Sequence, residues 1–160
     1  MTRSIKYKLL FLFSLHGVIL LDVVSKRLVM GWLPLHHSRA VIPGFFNLVH
    51  IQNRGVAFGI LNNADAIWKD VLLVLFPLAA MAGIFWILYR YPRLSGGLAL
   101  ALGAVVGGAA GNLLDRLRYQ GVVDFLDFYW RGVHWPAFNV ADMAISLGVG
   151  FLVFHFWREG

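Results

Sequence analysis

The chain has 160 residues, 59% of them apolar and only 14% charged, with a formal net charge of +6 and no cysteine. Soluble domains average about 45–50% apolar and about 25% charged, so this composition is that of one membrane-embedded domain, 1–160. Without cysteine there are no disulfides and no thiol chemistry. The basic residues are scattered along the flanks of apolar runs, which suits anionic lipid headgroups and not nucleic acid.

In chain order, the first apolar run is Leu9–Val24, broken only by Ser14, His16, Gly17 and Asp22. It follows a basic N-terminal tail and so imitates a secretory signal. No small-residue cleavage site follows it, however; the next residues are Asp22-Val23-Val24-Ser25-Lys26, so it reads as a retained first helix. Val71–Tyr89, Leu98–Leu114 and Val140–Trp157 follow. With their polar flanks, all four approach the roughly 20 residues that cross a bilayer. The expected spans are about 9–28, 70–90, 97–115 and 139–158, with two outer segments at about 31–69 and 116–138.

Orientation rests on Arg3, Lys6 and Lys8, which precede the first span with no acid among them. A raw Lys/Arg count does not favour a cytoplasmic N-terminus, but the uncompensated N-terminal tail does, and the first helix usually dominates. Both termini are therefore expected in the cytoplasm.

The first outer segment is too long for a turn. Its Phe45–Ile51 stretch is rich in strand formers, with Pro43-Gly44 before it and Asn53-Arg54-Gly55 after it as a turn or kink. A small sheet-like element on the outer membrane surface is expected there. Ala64–Lys69 reads as a short interfacial helix anchored by Trp68. The fold class is thus an all-α membrane protein of four helices with a small extracytoplasmic β-like element. In the third span, Gly103, Gly107 and Gly111 recur every four residues, with Ala104 and Gly108 alongside. Such a stripe lets another backbone approach closely.

Against this apolar background, Asp22, Asn112, Asp115, Asp124, Asn139 and Asp142 stand at or near span ends, where polar groups are expensive and by default functional. Each also has a plain structural explanation. Asp22 and Lys26 are i, i+4 and suit a helical ion pair. Asn112 and Asp115 share a helix face. The negative helix C-terminus argues against a capping role for Asp115, which leaves an ion pair with Arg116 or Lys26, or a place in a site. Asn139 is a good N-cap, and Asp142 three residues on completes a capping-box-like pair. That position also favours the ionised carboxylate a base needs. Asp124 is either an exposed loop residue or a carboxyl framed by Val122, Val123, Phe125 and Leu126, which favours its protonated form. Asp127 ranks lower. Ser25 and Lys26 are adjacent on a helix and do not face each other, against a serine–lysine hydrolase. His36-His37 lacks a third ligand of suitable spacing for a metal. Two carboxylates in environments that push them apart form the pattern of an acid–base pair.

Five motifs then carry a resemblance: Asp22…Ser25-Lys26, Asn53-Arg54-Gly55-Val56-Ala57-Phe58-Gly59, Gly111-Asn112-Leu113-Leu114-Asp115-Arg116, Val122-Val123-Asp124-Phe125 and Phe138-Asn139-Val140-Ala141-Asp142. In this order, at the ends of four apolar runs, they resemble the lipoprotein signal peptidase (signal peptidase II) family of bacterial aspartyl peptidases. Only Leu114 varies, where isoleucine is common. The resemblance implies a dyad of Asp124 and Asp142. Asp22, Lys26, Asn53, Gly55, Asn112, Asp115, Arg116 and Asn139 would form a supporting polar or substrate-binding shell. It implies a lipidated prolipoprotein substrate cut just before the modified cysteine, and no metal or organic cofactor. The implied setting is the bacterial inner membrane, with both termini cytoplasmic and the site near the outer leaflet. The expected partners are that substrate and membrane lipids, without nucleic acid, the chain itself acting as a monomer. A small transporter or ion-binding protein would also collect carboxylates beside membrane helices, but no span interior here carries an acid. A purely structural subunit leaves Asp115 unexplained.

Overall fold

The computed structural model describes residues 3–55, 67–91 and 94–159. Among the described residues four helices form: α1 Arg3–Trp32, α2 Ile67–Arg90, α3 Gly96–Tyr119 and α4 Val140–Glu159. Each is long and apolar enough to cross a membrane. Their outward faces carry large exposed apolar side chains, including Phe13, Phe76, Trp86 and Trp157, as expected where lipid and not water is the solvent.

α3 is the central helix, packed on α1 along one side and α4 along another. Its small residues make this possible. A Cβ on Gly103 would stand 2.5 Å from the Phe11 carbonyl oxygen, and one on Gly107 2.7 Å from that of Leu15. The adjacent Gly108 does the same for α4, 2.5 Å from the Ala141 carbonyl. Two faces of one helix are therefore stripped to backbone so that two neighbours can touch it, the close approach that substitutes for hydrophobic driving force inside a bilayer. Tyr7, Phe11, Ala99, Leu102 and Val106 form the buried core, with Met81, Ile84 and Leu88 of α2 packed against it.

Above the helices lies one antiparallel sheet in the order β1 Ser38–Ile42, β2 Phe46–Asn53, β3 Val122–Trp130, β4 Val133–His134. The sheet-like element expected from Phe45–Ile51 is present but larger, because the second outer segment contributes its longest strand. Phe46 and Phe128 stack at 4.8 Å across β2 and β3, and Phe128 stacks on Phe138 at 5.9 Å. The backbone of Phe138 bonds to Leu126 in both directions, which ties the start of α4 to β3.

Several local readings shift. α3 runs a further turn past Asp115 to Tyr119 and is capped by Gln120 in the left-handed region, so Asp115 is not the terminal residue. Asn53 closes β2 and opens the expected turn, since its Oδ1 accepts the Gly55 N–H at 2.9 Å. Of the expected interfacial helix, residues 64–66 lie outside the described residues, and Trp68 and Lys69 stand in the first turn of α2. The Val56–Gly59 part of the second motif is also outside the described residues.

Candidate active site

The polar residues singled out in the sequence converge where α1, α3, β3 and the start of α4 meet. Four aspartates come together here, and they fall into two kinds.

Asp22 and Asp115 share one cation. Lys26 is 1% exposed and Asp22 fully buried. The Lys26 ammonium lies 2.7 Å from Asp22 Oδ2 and 2.8 Å from Asp115 Oδ2, and donates to Asn112 Oδ1 at 3.1 Å. The remaining lone pairs hold backbone. Asp22 Oδ1 accepts the Ala141 N–H at 3.0 Å, and Asp115 Oδ2 accepts the Val123 N–H at 3.1 Å. One buried lysine is thus shared by two acids, which in turn pin the first turn of α4 and the start of β3. Of the ion pairs open to Asp115, the one formed is with Lys26, not with Arg116. Ser25 Oγ donates to the Asp22 carbonyl at 3.0 Å, so Lys26 and Ser25 are engaged with different groups.

Asp124 and Asp142 form no ion pair among the described residues; each carboxyl oxygen instead receives one N–H. Asp124 Oδ1 accepts from Asn139 Nδ2 at 2.7 Å and its Oδ2 from Asn53 Nδ2 at 3.0 Å. Asp142 Oδ1 accepts from Asn112 Nδ2 at 2.8 Å and its Oδ2 from the Asn139 backbone N–H at 3.2 Å. The capping box is reciprocal, since the Asp142 N–H donates to Asn139 Oδ1 at 3.0 Å. Asn139, wholly buried, also donates from Nδ2 to Asn112 Oδ1 at 3.2 Å. Asn112 and Asn139 therefore bridge the two uncompensated carboxyls and lock their orientations together.

Register explains how Asn53 arrives. Ile51 pairs with Asp124 and Asn53 with Val122, so Asn53, two residues beyond Ile51, shares its sheet face and reaches Asp124 diagonally. Burial pushes the Asp124 carboxyl up to about 7, helped by the negative charge of Asp142, and the amides of Asn53 and Asn139 only partly offset this.

Both of these aspartates line one cavity of about 600 Å³, together with Asn53, Gly55, Asn112 and Arg116. Its other wall is apolar: Trp135, Pro136, Ala137 and Phe138 from the segment before α4, and Met143, Ile145 and Leu147 from α4 itself. This is the concave, mostly apolar site with a few converging polar groups that binds ligands. The apolar wall was not singled out in the sequence. Its one signal was the Trp135-Pro136-Ala137 run directly before a motif. Asp127 is elsewhere on β3, held by Asn47 Nδ2 at 2.8 Å and His134 Nδ1 at 2.9 Å.

Comparison with known proteins gives the same picture throughout. Residues 15–158 match the family described as signal peptidase (SPase) II. The lipoprotein signal peptidase of Nitratidesulfovibrio vulgaris is 46% identical over 94% of this chain and 90% of its own length. That of Syntrophotalea carbinolica is 43% identical over 89% of this chain and 88% of its own. A solved bacterial membrane enzyme, determined by the in meso method at 2.3 Å, superposes with a TM-score of 0.83 at 25% identity, over 93% of this chain and 88% of that one. A second, determined by the same method at 1.9 Å, reaches 0.82 at 22% identity over 94% of each and shares the fold. The chain is a multi-pass bacterial membrane peptidase and belongs to the signal peptidase II family.

Proposed function

We propose that this chain is an aspartyl endopeptidase that removes the signal peptide from diacylglyceryl-modified prolipoproteins, cutting just before the lipidated cysteine. Asp124 and Asp142 are the catalytic pair. The observation that supports this most is the sorting of the aspartates: two share the Lys26 ammonium, and the other two form no ion pair among the described residues, accept hydrogen bonds from amide N–H groups and open on the cavity.

In the proposed reaction, Asp142 takes a proton from a water held between the two carboxyls as that water attacks the scissile carbonyl carbon. The protonated Asp124 gives a hydrogen bond, and then its proton, to the carbonyl oxygen. Collapse of the tetrahedral adduct breaks the C–N bond. The cysteine nitrogen leaves with a proton from Asp142, and the signal peptide leaves with a new carboxyl group, its spare proton returning to Asp124. Asn53, Asn112 and Asn139 hold the carboxyl planes, and Gly55 and Arg116 line the cavity beside them, Arg116 adding positive charge to its wall. Asp22, Lys26 and Asp115 keep the frame rigid. The diacyl chains remain among bilayer lipids and fix the depth of the cysteine, which is binding from a non-reacting part of the substrate. The chain works as a single domain, 1–160, and as a monomer. Both termini are cytoplasmic, and the cavity sits near the outer leaflet of the inner membrane.

The test is direct. Purified protein incubated with a diacylated prolipoprotein should release a fragment that begins at the modified cysteine, and the unmodified precursor should stay intact. Equal cutting of both, or of neither, would defeat the proposal.

A further inference from the structure

On the peptidase reading, which this inference rests on, the substrate segment that reaches the cavity from the membrane has to leave its helix for the scissile bond to be exposed. Every residue that unwinds releases an N–H and a C=O that the helix had satisfied. In an apolar wall without water those groups need new partners.

The cavity's polar groups gather at one end, around Asp124 and Asp142. From there α4 carries the wall deeper, and it does so with Met143, Ile145 and Leu147. Ser146 is the exception. It also lines the cavity, four residues after Asp142 and so on the same face, about 6 Å further along the helix. Its depth is fixed by α3: Asn112 bonds to Asp142, and Gly108, one turn back, lies against Ala141 and Ile145. A serine inside a helix commonly bonds back to the carbonyl four residues earlier. Ser146 is exposed, and among the described residues its hydroxyl has no hydrogen-bond partner. It is a polar group facing the cavity at the depth where the wall is otherwise apolar.

We propose that Ser146 is a substrate-binding residue, its hydroxyl donating to a backbone carbonyl of the unwound signal-peptide segment on the N-terminal side of the cut. This is recognition of the peptide backbone, so it holds substrates of different side-chain sequence equally. It acts on binding, since the same bond persists from the bound state to the transition state.

The experiment measures KM and kcat of the full-length protein on a diacylated prolipoprotein for the wild type and for Ser146→Ala, Ser146→Thr and Ser146→Val. Loss of one neutral hydrogen bond predicts KM raised roughly three- to tenfold in the Ala and Val variants. Their kcat should stay within about twofold of wild type. Ser146→Thr keeps the hydroxyl at nearly the volume of valine and should hold KM near the wild-type value. An unchanged KM in Ser146→Ala, or Thr and Val variants that shift together, would overturn the assignment while leaving the peptidase reading intact. A wild-type protein that does not cut would remove both.

Discussion

Lys26 decides what each aspartate can do. Its ammonium meets Asp22 and Asp115, and among the described residues Asp124 and Asp142 form no ion pair. Replacing Lys26 by Met should strand two buried carboxylates and destabilise the fold by about 3–5 kcal/mol, read as a lower thermal midpoint in detergent. Asp124→Asn and Asp142→Asn should each cut turnover by at least about 100-fold, the scale of acid–base catalysis, while the protein still reaches the membrane. Asp127→Asn should be far milder, because that side chain bonds to Asn47 and His134. The sign of the pH effect follows from Asp124. Its proton is required, is held below about 7 and is lost above it, so kcat/KM should fall as pH rises through that value. The two carboxyls are coupled, so the limb belongs to the pair. Infrared spectra separate them. The protonated-carboxyl band should vanish in Asp124→Asn. In Asp142→Asn it should survive, with a midpoint below about 7 because one repelling charge is gone, yet above 3.8 because burial remains. The opposite pattern would exchange the two roles. At this scale the sequence was informative, since polar residues beside a membrane stand out by cost alone. The Asp22–Lys26 pair was readable from its spacing and Asp115 was narrowed to Arg116 or Lys26; that one ammonium joins both acids was not readable, because α1 and α3 meet only in three dimensions.

Among the elements, the helices were plain and the sheet was half seen. Residues Phe45–Ile51 announced a strand, but Val122–Trp130 did not. Its first four residues are buried and its acids fall three apart, at Asp124 and Asp127. A strand covered on both faces loses the two-residue alternation that marks one from sequence. Without that strand the choice between an exposed loop residue and an apolar-framed carboxyl stayed open for Asp124, and its contact with Asn53 could not be foreseen. The glycine stripe was legible, though its second role was not. A Cβ at Gly107 would meet the Leu15 carbonyl, but one at Gly111 would stand 2.6 Å from Asp22 Oδ2. Gly107→Leu should therefore lower folded yield and stability by about 1–3 kcal/mol or more, as overpacking does. Gly111→Ala should displace Asp22 Oδ2, the oxygen that meets Lys26, and shift the carboxylate whose Oδ1 holds the Ala141 N–H, reducing turnover more than thermal stability. Unchanged turnover in Gly111→Ala would show that Asp22 does not govern the position of Asp142.

For the whole molecule, helix count and charge bias make one prediction about topology. A reporter fused after the last residue should read as cytoplasmic, and one inserted at Gly132 in the β3–β4 turn as external. An external C-terminal signal would contradict an even number of spans. Composition alone gave the membrane setting and the four spans. The way the sheet and the helix ends join into one cavity was beyond it, because that joint is made by backbone bonds such as those between Leu126 and Phe138.

The pairing of Asp22 with Lys26 one turn apart on α1 also bears on how such a chain is made. A lone charge in a membrane helix is costly on insertion, but α1 carries Asp22 and Lys26 one turn apart toward its C-terminal end, where their charges cancel. It then waits with a spare ammonium face. Asp115 arrives on α3 with no basic residue bonded to it from its own helix and is met by that ammonium. Last, α4 brings the Ala141 N–H to the remaining Asp22 oxygen. A nascent chain that stops before α4 keeps unsatisfied polar atoms within lipid, so an incomplete product is unstable instead of partly active, and proteolytic power appears only when synthesis is finished.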